Sequence, residues 1–130
     1  MIGLDTNILV RYLTQDDPVQ SRRASEMIER LTEENPGFVS IVVTVELVWV
    51  LDRAYGLTTR EIAAAVEGLL QVDVFVLQNE QEVFTAMVAL REGRGSFAGA
   101  LIAALAAWAH CSRTLTFDRK ALRIAGFALR

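Results

Sequence analysis

The stretch that decides the fold is residues 1–10, MIGLDTNILV, in which one charged side chain interrupts an apolar sequence. Residues 1–4 predict a short buried strand, and residues 6–14 carry apolar side chains at the spacing of one helical face. Asp5 stands between them, at the carboxyl end of the strand and the start of the helix. A strand that passes directly into a helix is the first unit of an α/β fold.

The rest of the chain repeats this alternation of strands and helices. Capping-box patterns begin two helices at residues 58–61 and 79–82, and a turn precedes the strand at residues 38–43. Further strands are predicted over residues 72–77 and 113–117, and further helices over residues 18–34, 44–55, 96–110 and 119–124. This order predicts a three-layer α/β/α sandwich with a mainly parallel central sheet. A chain of 130 residues is most simply one domain over residues 1–130.

Composition fits an ordinary globular protein, with 52% hydrophobic and 22% charged residues. The longest uncharged run, residues 95–112, is short for a membrane span of about 20 apolar residues. The N-terminus lacks the basic region of a signal peptide, and Asp5 interrupts its first apolar stretch. A lone Cys111 cannot form an internal disulfide, which suits a reducing compartment. We therefore expect a cytoplasmic protein that does not enter a membrane.

Charge is unevenly distributed along the chain, although the net charge is only −3. Residues 1–93 carry seven basic and fifteen acidic side chains, a balance of −8. Residues 94–130 carry six basic side chains and one acid, a balance of +5. This basic C-terminal third predicts a local attraction for phosphates, and a chance surface bias is the alternative.

Three acids stand alone in apolar surroundings, whereas the other acids occur in groups at helical spacing. They are Asp5, Glu46 within the apolar run 38–51, and Asp118, the only acid beyond Glu92. An ionised carboxylate is costly to bury unless it is paired or binds a metal. Two of the three follow strands and the third opens a helix, so all are expected at the edge of a parallel sheet where ligands bind. Clustered carboxylates without nearby His or Cys favour Mg²⁺ or Mn²⁺ over zinc.

Each acid also has a purely structural interpretation. Asp5 and Asp118 would each cap the helix that follows, and Glu46 would form a buried salt bridge with Arg53 or another arginine. Each interpretation accounts for one acid, but none explains why all three acids are expected at the same edge of the sheet. Two aromatic side chains, Trp49 and Trp108, are predicted to lie in the core rather than to stack on bases.

Four segments of the chain occur in the order of a known family. They are IGLDTN at residues 2–7, VELVW at residues 45–49, FAGALIA at residues 97–103 and LTFDRK at residues 115–120. Each segment is a weak signal alone, but four in register make a strong one. On these segments the sequence resembles PIN-domain proteins and, among them, the VapC-type ribonuclease toxins of bacterial toxin–antitoxin pairs.

The resemblance implies a metal-dependent endoribonuclease that hydrolyses RNA phosphodiesters. In that family the matching acids, here Asp5, Glu46 and Asp118, surround one or two Mg²⁺ ions and carry catalysis, with Mn²⁺ as an alternative metal. The resemblance further implies that Thr6 and Asn7 orient Asp5 or a water molecule.

The resemblance also implies partners: a cognate VapB-like antitoxin, an RNA substrate and a second copy of the chain in a homodimer. Arg119 and Lys120 would hold RNA phosphates beside Asp118, with a solvated helix start as the alternative. Apolar side chains on the second and third helices are expected to exceed what one core absorbs and to form the dimer interface. These side chains are Met27, Ile28, Leu31, Trp49 and Tyr55.

Position 99 departs from the family pattern. The third segment usually carries an Asp where this chain has Gly99, and often another acid where it has Ser96. Ser96 is a good N-cap, and an acid at position 99 would close a capping box, whereas glycine costs about 1 kcal/mol relative to alanine. Either an Asp-to-Gly change has inactivated this chain, or the chain is a natural divergent member. The second functional hypothesis is therefore a non-catalytic PIN-like binding module that keeps the fold and the antitoxin interface.

Overall fold

The computed structural model describes all of residues 1–130. Its strands are β1 (Ile2–Gly3), β2 (Gly37–Val39), β3 (Phe75–Leu77), β4 (Thr114–Thr116) and β5 (Phe127–Leu129). Its α-helices are α1 (Thr6–Thr14), α2 (Pro18–Glu29), α3 (Ile41–Arg53), α4 (Thr59–Leu70), α5 (Glu80–Arg91) and α6 (Phe97–Trp108), and a 3-10 helix spans Arg119–Arg123. None of these helices has both the length and the apolar content that crossing a membrane requires.

All paired strands are parallel, and they form two sheets. The first sheet has the order β1-β2-β3, with Gly3 opposite Phe38 and Val39 opposite Leu77. The second sheet pairs β4 with β5 alone. Parallel neighbours need crossover connections, and the α-helices supply them between β1 and β2 and between β2 and β3. The predicted α/β/α sandwich with a parallel sheet is confirmed.

The first strand is shorter and more exposed than the sequence predicts. Met1 is 68% exposed and Ile2 is 49% exposed, so the prediction of a buried strand over residues 1–4 holds only for Leu4. The physical reason is that β1 is an edge strand. The Leu4 amide donates to the carbonyl oxygen of Phe38 (2.9 Å), and no strand pairs with the other side of β1. An apolar pattern identifies a strand but does not say which neighbour covers it.

The second strand ends earlier than its β-branched sequence predicts. Residues 38–43 predict a strand, but β2 stops at Val39 and α3 follows at once. The reason is Ser40, whose Oγ accepts a hydrogen bond from the Val43 amide (3.2 Å) and caps the helix. The cap and a buried helical face therefore override the β-propensity of the valines. As a result Glu46 lies in the second turn of α3.

Capping residues decide the other helix starts. Thr58 and Glu61 form the predicted capping box, with reciprocal hydrogen bonds of 3.1 and 2.9 Å. The capping box predicted at residues 79–82 is wrong. Asn79 has a left-handed backbone (φ 53°), and its side-chain amide donates to Glu82 Oε1 (3.0 Å) instead of accepting from the backbone. β5 has no counterpart in the prediction, because three residues are too few for a periodic pattern.

A cluster of 24 buried residues forms the core. Leu9 of α1 and Leu47 of α3 are completely buried in it, and Ile28 and Leu31, which were expected at a dimer interface, also belong to it. The tryptophans behave in the opposite way: the prediction that they are core residues is wrong, because Trp49 and Trp108 are each 60% exposed. Both side chains lie on outward faces of α3 and α6, so their apolar surface contacts either solvent or a partner protein.

α6 is also less buried than predicted. Phe97 and Leu101 are 2% exposed and face the core, whereas Ile102 is 55% exposed. The alanine-rich, uncharged run of residues 96–110 predicts a buried helix, and the structure buries only one face of it. The run lacks charge on both faces, so it does not distinguish the covered face from the open one.

We expect Ser40→Ala to lower the free energy of unfolding by about 1 kcal/mol, because the Val43 amide loses its side-chain acceptor. Urea unfolding followed by far-UV circular dichroism measures the change. Ser112→Ala is the matched control, since Ser112 is exposed and caps no helix, and its effect should stay within about 0.5 kcal/mol. Equal effects of the two substitutions would show that the cap at Ser40 does not set the start of α3.

Candidate functional site

Two of the three isolated acids line one cavity between α1 and α3. Asp5 caps α1, and Glu46 lies on α3, and the cavity between them has a volume of about 350 Å³. The residues that line it are Asp5, Thr6, Asn7, Val10, Arg11, Glu46, Val50, Ala54 and Tyr55. The start of α1 and the length of α3 therefore build a site with two carboxylates, which we call the Asp5–Glu46 cavity.

Both carboxylates of this cavity lack a cationic partner. Asp5 and Glu46 are exposed, and neither forms a salt bridge. The structural alternative for Glu46, a buried salt bridge with Arg53 or another arginine, is wrong, because Glu46 is exposed and forms no salt bridge. The capping alternative for Asp5 is observed: its Oδ1 accepts from the Thr6 amide (2.7 Å). Its second oxygen accepts no hydrogen bond, so capping leaves the carboxylate able to bind a cation.

Thr6 follows Asp5 and lines the same cavity. Its side chain is buried, and Thr6 Oγ1 has no hydrogen-bond partner. A buried hydroxyl without a partner is costly unless water or a ligand satisfies it. The two carboxylates are hard oxygen donors, and Mg²⁺ typically keeps several waters while it binds one or two protein carboxylates. The donor set of this cavity therefore fits a hydrated divalent cation.

Asp118 lies outside this cavity. It follows β4 in the second sheet, is exposed, and caps the 3-10 helix through a hydrogen bond from the Lys120 amide to its Oδ1 (2.9 Å). No group of three or more His, Cys, Asp and Glu side chains that could hold a metal ion is present. The expected cluster of three carboxylates is therefore not formed in this structure. The reason is topological, since β4 pairs with β5 and does not extend the sheet beside β1.

The two basic residues beside Asp118 are exposed. Arg119 and Lys120 open the 3-10 helix, and neither forms a salt bridge. Their charges are therefore available to an anionic partner, although they lie outside the Asp5–Glu46 cavity.

The start of α6 carries the predicted cap and the glycine. Ser96 Oγ accepts from the Gly99 amide (3.0 Å), which confirms Ser96 as the N-cap. A Cβ added at Gly99 would lie 3.0 Å from Ser96 Oγ and 3.6 Å from Ile124 Cδ1. The first contact is tight and requires the Ser96 hydroxyl to shift by a small amount, and the second is ordinary packing. A side chain at position 99 is therefore sterically possible.

The start of α6 and the acid on α3 border neighbouring cavities. Ser96 lines a cavity of about 500 Å³ together with Val45 and Trp49. Val45 and Trp49 also line the cavity next to it, which includes Glu46. The α6 start thus borders the face of α3 next to the one that carries Glu46, one cavity away from it.

A polar network at the cavity was missed by the sequence reasoning. Arg11 and Tyr55 both line the Asp5–Glu46 cavity, and Asp16 connects them. Arg11 Nη1 donates to both Asp16 oxygens (3.0 and 3.1 Å), and the Tyr55 hydroxyl donates to Asp16 Oδ2 (2.7 Å). The sequence placed Asp16 among the surface acids, because it neighbours Asp17. A usable signal was the position of Arg11, four residues after Asn7 and hence on the same helical face.

The network makes Asp16 an unusually strong acid for a surface carboxylate. Hydrogen bonds from the Tyr55 hydroxyl and from Thr14 Oγ1, together with the charge of Arg11, lower the pKa of Asp16 from its ordinary 3.8 to about 2. Because the folded-state pKa is depressed, the network contributes stability above about pH 3.8, and that contribution is lost as the pH falls towards 2. At physiological pH the pair of Arg11 and Asp16 is therefore fully ionised.

Comparison with known protein families matches residues 2–127 of the chain to the PIN domain. The matched segment includes Asp5, Glu46, Gly99 and Asp118 and extends from β1 into β5. A search of curated proteins finds no match. The family match covers nearly the whole chain, and it agrees with the parallel α/β architecture.

The titration of Asp16 tests the network directly. We expect its carboxyl carbon to titrate with a midpoint near pH 2 in NMR spectra of the intact chain. Tyr55→Phe should move the midpoint upwards, towards 3.8, because the Tyr55 hydrogen bond is the largest cause of the shift. A midpoint near 3.8 in both proteins would show that the network does not form in solution.

Proposed function

This chain belongs to the PIN domain family, and on that premise we propose that it is a Mg²⁺-dependent endoribonuclease of the VapC toxin type, impaired by Gly99. PIN domains are generally metal-dependent nucleases, and the family is associated with RNA. The observation that carries the proposal is the Asp5–Glu46 cavity, where two carboxylates without cationic partners face one space. Mg²⁺ in proteins is typically held by one or two carboxylates and keeps several waters.

In the proposed site Asp5 and Glu46 hold the metal, with Mn²⁺ as the alternative to Mg²⁺. The bound ion would orient and activate a water molecule and would stabilise charge on the phosphodiester under attack. We propose that Thr6, whose buried hydroxyl has no partner, and Asn7, which lines the same cavity, orient Asp5 or a water molecule. These two residues follow Asp5 directly on α1, which fixes their positions relative to its carboxylate.

Asp118 remains our proposed third acid. Its Oδ2 has no hydrogen-bond partner, and its capping interaction uses Oδ1 alone. Arg119 and Lys120 follow it, and we assign them to RNA phosphates, because they carry unpaired charge within the basic C-terminal third. Ser96 caps α6, and its Oγ accepts a hydrogen bond from the Gly99 amide. We propose that this hydrogen bond fixes the backbone at position 99 beside the site.

We expect the chain with Gly99 to cleave RNA very slowly and Gly99→Asp to raise the cleavage rate by orders of magnitude. The substitution adds a negative charge and a ligand at the start of α6, where a side chain fits. Gly99→Asn is the matched control, since it has nearly the same shape without the charge and should leave the rate low. Cleavage of labelled RNA with Mg²⁺ or Mn²⁺ measures the effect, and the gain should disappear when Asp5→Asn is added.

The outcome decides between the two functional classes. Cleavage by Gly99→Asp that depends on Asp5 supports the endoribonuclease, and toxicity of that variant when it is expressed without an antitoxin supports the toxin assignment. If Gly99→Asp cleaves RNA no better than Gly99→Asn, position 99 is not the missing ligand. The chain would then be a PIN-like binding module that retains the fold and the antitoxin interface.

We also propose that the chain forms a homodimer and binds a VapB-like antitoxin. α3 supports the dimer, because Val42 is 74% exposed and Trp49 is 60% exposed on the helix that carries Glu46. Met27 of α2 is 46% exposed. Val42 and Trp49 border an apolar cavity of about 560 Å³ that reaches Glu46. A two-fold interface on this face would place two acidic cavities side by side.

Light scattering at micromolar concentration should give the mass of a dimer, with roughly 800 Å² buried per partner. Trp49→Glu should produce monomers, because it places a charge in the apolar face of α3. Trp108→Glu is the matched control, since Trp108 is exposed to the same 60% on α6, outside the proposed interface. A monomer for the unmodified chain, or equal dissociation by both substitutions, would argue against this interface.

A further inference from the structure

We propose that Arg11 contacts a phosphate of the bound RNA in the Asp5–Glu46 cavity, and that Asp16 and Tyr55 hold its guanidinium group in place for this contact. This inference rests on the proposed ribonuclease function, and it adds a substrate-binding residue to the site. Arg11 would be the substrate contact, and Asp16 and Tyr55 would be positioning residues.

The location of Arg11 is the first support for this assignment. Arg11 lines the cavity together with Asp5 and Glu46, and it lies on α1 four residues beyond Asn7. Its side chain retains 31% of its exposure, so a ligand in the cavity can reach it. An arginine that lines a cavity with two carboxylates would usually pair with one of them, but Arg11 forms its only salt bridge with Asp16.

The use of its donors is the second support. Arg11 Nε donates to Gln20 Oε1 (2.8 Å), and Nη1 donates to both Asp16 oxygens and to the Tyr55 hydroxyl (3.2 Å). Nη2 donates to no group of the chain. A guanidinium group presents five N–H donors in a rigid fork that matches phosphate geometry. The internal contacts therefore fix the plane of the group while its second terminal nitrogen keeps both donors for a ligand.

The rigidity of the network is the third support. Asp16 itself is held by the Thr14 hydroxyl (2.8 Å) as well as by Tyr55, which lies at the far end of α3. A free arginine side chain loses considerable rotamer entropy when it binds, and a side chain that is already fixed loses less. The network thus prepares Arg11 for an anion before the anion arrives, and it does so without using Asp5 or Glu46.

The charge arrangement gives the cavity two complementary parts. Asp5 and Glu46 attract a cation, and Arg11 attracts the phosphate that such a cation also contacts. Arg11 forms its salt bridge with Asp16, so neither Asp5 nor Glu46 is paired with it. A phosphodiester needs both parts, because negative charge builds up on its oxygens during attack.

Salt dependence of RNA binding distinguishes a phosphate contact from a structural role. The test uses the intact chain with Gly99, Mg²⁺ and a fluorescein-labelled single-stranded RNA of mixed sequence, followed by fluorescence anisotropy. We expect Arg11→Gln to raise Kd about tenfold. It should also reduce the slope of log Kd against log salt by about 0.7, because each phosphate contact to a single strand contributes that amount.

Arg91→Gln is the matched control. Arg91 forms a comparable pair with Glu67 (2.9 Å) on a partly exposed surface, but it does not line the cavity. It should change neither Kd nor the salt slope. Tyr55→Phe removes a positioning contact and leaves the charge, so it should raise Kd a few-fold without changing the slope. Arg11→Lys should restore the slope and only part of the affinity, since lysine keeps the charge and loses the fork.

The results separate this inference from the proposed function. RNA binding by the unmodified chain with an unchanged slope in Arg11→Gln overturns the role of Arg11 and leaves the ribonuclease proposal standing. Failure of the unmodified, folded chain to bind RNA at all overturns both. A thermal unfolding scan of each variant identifies any that misfolds. If Arg11→Gln misfolds, the comparison of Tyr55→Phe with Arg11→Lys decides the matter: an unchanged Kd in both overturns the inference.

Discussion

The packing of α1 against α3 is the contact on which the candidate site depends. Leu9 of α1 and Leu47 of α3 are completely buried in one core cluster, so neither helix can rotate without exposing apolar area. Asp5 caps the first helix, and Glu46 directly precedes Leu47 on the second. Their carboxylates are therefore brought to one cavity by the core and not by any attraction between them.

The same packing also brings a positive charge to the cavity, and the structure keeps it apart from the acids. Arg11 extends from the α1 face that borders the cavity, and Tyr55 follows the end of α3. Asp16, in the loop after α1, pairs with both. An arginine that is satisfied in this way leaves Asp5 and Glu46 as an uncompensated pair. The contacts among Arg11, Asp16 and Tyr55 therefore have two consequences. They hold the Arg11 guanidinium group in place, and they leave Asp5 and Glu46 without a cationic partner.

Much of the fold could be predicted from the sequence because local signals are strong at the helix starts. Asp5, Asp17 and Thr58 each begin a helix where the pattern places it. The β2–α3 boundary was misplaced, because a run of valines favours a strand by composition and a single serine outweighs it through one hydrogen bond. Sequence separation also limits the prediction: nothing local to Asp16 indicates that Tyr55 contacts it from 39 residues away.

The candidate site was predicted less completely than the fold, for a reason that involves the second sheet. Spacing places Asp118 after a parallel strand, but it does not say which strand lies beside β4. In the structure the neighbour of β4 is β5. The C-terminal segment is held by Ile124, which is buried beside the start of α6. A Cβ at Gly95 would lie 2.5 Å from Ile124 Cδ1, so glycine at this position permits the close approach.

This anchor connects position 99 with Asp118. Asp118 caps the 3-10 helix, and Ile124 follows the end of that helix and packs beside Gly99. A Cβ added at position 99 would lie 3.6 Å from Ile124 Cδ1. A substitution at position 99 therefore changes the packing beside Ile124, and an acidic side chain there would also add a negative charge at the start of α6. Position 99 and Asp118 therefore both border the C-terminal segment, which Ile124 holds against the start of α6.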